Sequence, residues 1–183
     1  MFKLSGLIAV SAFALINAAG ATQPGSYAGQ EQREIKALSP QEIQSYLTGK
    51  GAGFAKAAEL NHYPGPAHVL ELADQLQLSN EQKSRTKAIF ERMQKKAIGQ
   101  GEALVEKERE LDRQFAAGTV TPDSLDTTLN QIGALQANVR RSHLQAHLEQ
   151  KAVLTKAQIA KYDALRGYSS PRDAEHSGHS HKH

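Results

Sequence analysis

Residues 80–116 read NEQKSRTKAIFERMQKKAIGQGEALVEKERELDRQFA, and the spacing within them decides the fold. Phe90, Met93, Ala97, Leu104, Leu111 and Phe115 recur like the a and d positions of a heptad, with Gly101 and Glu108 in the two remaining seam positions. The pattern predicts one helix, roughly 55 Å long at 1.5 Å per residue. Leu78-Ser79-Asn80-Glu81-Gln82 opens it with a capping box: Ser79 accepts from a free amide, and Gln82 reaches back to it. Gly99 and Gly101 weaken the middle, which predicts a bend or a close crossing.

Downstream, Ala117-Gly118-Thr119-Val120 makes a turn, and Thr121-Pro122-Asp123 begins a helix that continues to about Val153. Its seam reads Leu125, Leu129, Ile132, Val139, His143 and Ala146. Leu154-Thr155-Lys156-Ala157-Gln158 repeats the capping box, here with Leu154 and Ile159 in the hydrophobic-staple positions. It opens a last short helix, Lys156 to about Arg166, expected to bury Ile159, Tyr162 and Leu165. Upstream, a helix is expected from Pro66 to about Gln77, with Val69, Leu70, Ala73 and Leu76 on one side. Short connections make consecutive helices antiparallel neighbours. The expected fold is therefore all-α: a long antiparallel helical hairpin over residues 66–167, with a short helix hooked at each end.

Residues 22–65 read as a flexible N-terminal region holding one short helix, capped by Ser39 with Pro40 first and Glu42 three residues on. Gly49, Gly51 and Gly53 end that helix, and Asn61-His62-Tyr63-Pro64-Gly65-Pro66 is a turn cluster. Residues 1–21 carry the marks of a signal peptide: Lys3, an apolar run from Leu4 to Ile16, and Ala19-Gly20-Ala21 as a cleavage pattern. The apolar run falls short of the about 20 residues that a spanning helix needs. Residues 168–183 have no apolar content after Tyr168 and read as a disordered tail rich in histidine.

The chain has 183 residues and no cysteine, which leaves no disulfide and no thiolate ligand. Loss of Lys3 with the leader would take the formal charge from +3 to +2, too small a balance to indicate a nucleic-acid partner. His143-Leu144-Gln145-Ala146-His147 has the histidine spacing of a zinc protease, with Leu144 where the general base belongs. Gly49-Lys50-Gly51-Ala52-Gly53 lacks both the spacing and the preceding strand of a phosphate loop. No nucleophile–base constellation stands elsewhere, so no enzyme is expected.

Metal chemistry is the remaining signal. His143 and His147, four apart on one helix face, can share a cation. Folding the hairpin about residues 118–119 sets residue n opposite about residue 237−n, which brings both level with Glu91. Folding the preceding helix about residue 79 brings His68 to about the same height, with Glu71 as an alternative or additional carboxylate. His176, His179, His181 and His183 form a second, weaker set in the tail.

A leader, a long helical hairpin, and an L-T/S-x-x-Q box at residues 78–82 and 154–158 together resemble the Spy/CpxP family of bacterial periplasmic proteins. Heavy-metal sensors and zinc-binding proteins of the CnrX and ZraP type look like relatives of that family. The resemblance covers roughly residues 66–167. It implies a periplasmic homodimer whose hairpins form a cradle, acting in heavy-metal or envelope stress. The metal sensors place histidine on the first helix, glutamate on the second and a pair four apart on the third, which maps here to His68, Glu91, His143 and His147. The metals implied are Zn, Ni, Co or Cu. The other activity the resemblance implies is an ATP-independent chaperone for unfolded periplasmic proteins, and a membrane-bound sensor is a further expected partner.

Overall fold

In a computed structural model, the described residues are 25–168; the expected leader and His176, His179, His181 and His183 lie outside them. Residues 25–31 belong to a separate unit and make short turns, with the Ala28 amide donating to the Gly25 carbonyl. From Gln32 onward the described residues form six helices: α1 (Pro40–Thr48), α2 (Lys56–Glu59), α3 (Pro66–Glu71), α4 (Asn80–Ala116), α5 (Pro122–Lys151) and α6 (Lys156–Arg166). The described residues contain no strand, and α4 packs along α5 as the expected hairpin. No described helix is long and apolar enough to cross a membrane.

Both repeated boxes cap as their sequence demands. Ser79 accepts from the Gln82 amide while Gln82 accepts from the Ser79 amide, and Thr155 with Gln158 does the same. The two boxes also bind each other. Gln82 Nε2 donates to Gln158 Oε1 at 2.8 Å and Gln158 Nε2 donates to Gln82 Oε1 at 3.0 Å, while each amide also reaches a loop carbonyl, Val153 or Leu76. This amide clasp ties the start of α4 to the start of α6 over the buried cluster Val69, Leu76, Leu78, Leu154 and Tyr162. Replacing Gln158 with alanine removes a cap and half the clasp at once. The expected loss is about 1–2 kcal/mol, measured by urea unfolding, with Gln158→Glu recovering less than half.

The hairpin seam joins Ile89, Met93 and Ala97 of α4 to Ala146 and to Val153 just past α5. Across it, Thr86 pairs with Gln150, Arg92 with Glu149 and Gln100 with Ser142, within about five residues of the expected register. Glu108 is buried at a seam position, as its heptad place requires, and burial raises its carboxyl above the ordinary range. A raised folded-state value means that the native protein binds protons more readily than the unfolded chain. Stability is therefore present below the unfolded carboxyl range and is lost as pH rises through the folded value. Glu108→Gln is expected to be more stable than the parent at pH 7, and thermal unfolding at pH 4 should show that advantage vanish.

Five expectations require correction. The region 22–65 is not one loose segment with a single helix: from residue 32 it packs on the hairpin. Ile35 and Leu38 bury against Val105, and Glu34 and Lys36 pair with Arg109 and Asp112 at 2.9 and 3.0 Å. Tyr46 of α1 then crosses Gly101, where a Cβ would lie 2.8 Å from the Tyr46 carbonyl carbon and closer still to its oxygen. Gly101 thus marks the close crossing, whereas Gly99 has nothing near it.

The helix expected over 66–77 ends at Glu71, where Leu72 leaves helical geometry; the chain continues in turns and reaches Ser79 through a left-handed Gln77 (φ 53°). Phe115 and Leu129, expected in the seam, are 56% and 47% exposed. Leu165 is likewise 44% exposed. Tyr168, assigned to the tail, turns back through left-handed Gly167 to pack on the Tyr162 cluster.

Candidate functional site

The segment between α1 and α3 runs over the hairpin face that carries His143 and His147, and it builds a cleft there. Its walls are the glycine-rich loop Thr48–Gly53, the segment from Ala55 to His68 in part, Phe90, Met93 and Gln94 of α4, and His143, Ala146 and His147 of α5. The volume is about 670 Å³. That lies within the range of about 300–1,000 Å³ typical of small-ligand sites.

His143 is 4% exposed, stacks on Phe54 with ring centroids 6.0 Å apart, and has its Nε2 buried without a hydrogen-bond partner. Burial, reinforced by the nearby His147 imidazole, holds its pKa below the ordinary histidine value, so the ring is neutral at physiological pH. His147 is fixed differently. Its Nδ1 lies 2.7 Å from the Tyr63 carbonyl oxygen, which can only accept, so Nδ1 carries the proton and the neutral ring's Nε2 keeps a lone pair. A histidine anchored through one nitrogen to a carbonyl is the arrangement that orients metal ligands.

Glu59, the last residue of the one-turn helix α2, is the carboxylate that sequence reasoning missed. Its Oε1 accepts from the Tyr162 hydroxyl at 2.5 Å and lies 3.5 Å from His68 Nδ1 and 3.7 Å from Arg166 Nε. Its Oε2 is buried without a hydrogen-bond partner, 3.6 Å from His147 Nδ1. Gly65 makes this meeting possible. A Cβ there would stand 2.9 Å from His147 Cε1 and 3.3 Å from Glu59 Oε2. Its φ of −82° suits any residue, so glycine is needed here for space and not for backbone freedom. His62, left-handed at φ 65°, adds a further tie with Nδ1 2.8 Å from Asp163 Oδ2.

Of the expected ligands, His143 and His147 do share the cleft, and His68 and Glu71 line it as well. Glu91 does not. It is 61% exposed at its side chain, pairs with Lys87 at 3.7 Å, and is absent from the cleft wall formed by its neighbours Phe90 and Gln94. The height along the helix was right and the direction wrong, because each residue turns the helix by about 100°. His68 is present but engaged: its Nδ1 lies 3.4 Å from the Tyr162 hydroxyl and its Nε2 faces the Arg166 guanidinium at 3.4 Å. A cation on that nitrogen would meet the Arg166 charge. Among the described residues, no three His, Asp or Glu side chains stand together so as to hold a metal ion. The protein offers a histidine pair and a nearby carboxylate, an open set and not a closed shell.

Comparisons with protein-family models, with curated proteins and with solved structures returned no match to this chain.

Proposed function

We propose that the chain is a periplasmic metal-binding protein that works by binding and not by catalysis, taking a divalent transition metal at His143 and His147. Supporting this reading above all is His147, whose Nδ1 is tied to the Tyr63 carbonyl so that Nε2 is left as a free donor. His143 adds a neutral ring with an orphaned buried nitrogen, and Glu59 replaces Glu91 as the carboxylate nearest to His147. Imidazole and carboxylate donors without thiolate suit zinc, nickel, cobalt or copper(II). Membership of the Spy/CpxP family, a homodimeric cradle and a role in heavy-metal or envelope stress belong to the same proposal and rest on the two capping boxes.

Calorimetric titration separates the helical site from the tail. The full chain with His176, His179, His181 and His183 replaced by alanine should bind one zinc or nickel ion per chain. Complete loss of binding in that variant would assign all metal affinity to the tail and sink the helical site.

The alternative, an ATP-independent chaperone, draws on Phe115 and Leu129, large apolar side chains half open to water near the hairpin turn. On that reading the metal-free protein suppresses aggregation of a denatured client, and Phe115→Ser/Leu129→Ser loses the effect.

A further inference from the structure

The cleft is larger, and differently lined, than a bare cation requires. A cleft of about 670 Å³ has room for much more than one ion with its waters. The protein also leaves coordination positions open. Two imidazoles and at most one carboxylate fall short of the four to six donors that zinc or nickel takes, and no third described ligand converges with the pair.

The rest of the lining has its own chemistry. Lys50 and Lys56 both border the cleft, on the loop wall, and neither forms an ion pair among the described residues. Lys56 lies against the loop, its Nζ 3.9 Å from where a Gly53 Cβ would be. Phe90, Met93 and Ala146 supply an apolar floor beside the histidines. Histidine donors, two exposed lysines without ion pairs at the rim and an apolar floor around one cleft match a metal that arrives with an organic anion attached.

We infer that the natural ligand is a small anionic metal chelate, a divalent cation already held by an amino-acid-like or hydroxy-acid-like carboxylate, with His143 and His147 closing its coordination sphere. The inference rests on the metal-binding reading above. The carboxylates of the chelator face Lys50 and Lys56, its carbon skeleton lies against Phe90 and Met93, and the two imidazoles take the positions the chelator leaves vacant. No bond beyond metal–nitrogen coordination forms, and the displaced groups are waters on the metal.

The test uses the full chain with the four tail histidines replaced by alanine, titrated with hydrated nickel(II) and with the nickel(II)–nitrilotriacetate complex. That complex leaves two coordination positions open and carries three carboxylates. Its binding should weaken about tenfold in Lys50→Ala/Lys56→Ala, as loss of two charge-assisted contacts predicts, while hydrated nickel binds both proteins alike. Circular dichroism should show equal helicity for the two. Equal affinity of the chelate for parent and lysine variant would overturn the inference and leave metal binding standing. Exclusion of the chelate while hydrated nickel binds would do the same. Failure of both probes to bind would remove the metal reading itself.

Discussion

Replacing Gly101 with alanine is expected to destabilise the protein by about 1–3 kcal/mol, despite alanine's better helix propensity. Gly101 sits in the interior of α4, where glycine costs roughly 1 kcal/mol relative to alanine. The chain accepts that cost because the backbone of Tyr46 crosses there, within a distance that no real Cβ contact shows. The obstacle is backbone, not the end of a flexible side chain, so α1 must move as a body. It is held on both sides. Gly49, left-handed at φ 64°, packs against Gln94 and Ile98, and Ile35 and Leu38 bury against Val105. Gly99 is the matched control, since it lies in the same helix two residues away with open space around it. Gly99→Ala should stabilise by about 0.5–1 kcal/mol. Urea unfolding of the pair should move in opposite directions, and movement in the same direction would show that α1 does not cross at Gly101.

The second large effect concerns the cleft. His143→Ala/His147→Ala should lower affinity for nickel or zinc by about a hundredfold or more in the protein without tail histidines, since both protein nitrogens are lost together. Glu91→Ala should leave affinity within about twofold, because Glu91 pairs with Lys87 outside the cleft. Glu59→Gln is expected to weaken binding by about tenfold while keeping most of its contacts with Tyr162 and Arg166. The contrast between Glu59 and Glu91, read by calorimetry, decides which carboxylate belongs to the site.

Those two glutamates also show what the sequence could and could not convey. The long helix, its turn and its end are legible because heptad spacing and capping boxes are local. α4 and α6 begin and end where their caps and apolar spacing place them. The hairpin register followed from the turn, which put His143 and His147 at the right height. Azimuth was legible but not applied to the ligand set: the heptad places Phe90 in the seam, and about 100° per residue turns the adjacent Glu91 away from it into solvent.

Glu59 was hidden for a different reason. α2 is four residues long, too short for any periodicity, and its place depends on contacts with Tyr162 and Arg166 about a hundred residues downstream. The glycines at 49, 51 and 53 argued for looseness. In the fold, Gly49 supplies a left-handed helix end and a close approach to Gln94. Gly65 carried a signal that was available, since a glycine between two prolines needs a reason. That reason became visible only beside His147 and Glu59.

X-ray absorption of the zinc-loaded protein, with His176, His179, His181 and His183 replaced by alanine, tests the central claim most directly. The account predicts a first shell of nitrogen and oxygen donors in which two imidazoles give the characteristic outer-shell scattering, and the loss of that scattering in His143→Ala/His147→Ala. A bound zinc with no imidazole scattering, or scattering that survives the double replacement, would contradict it.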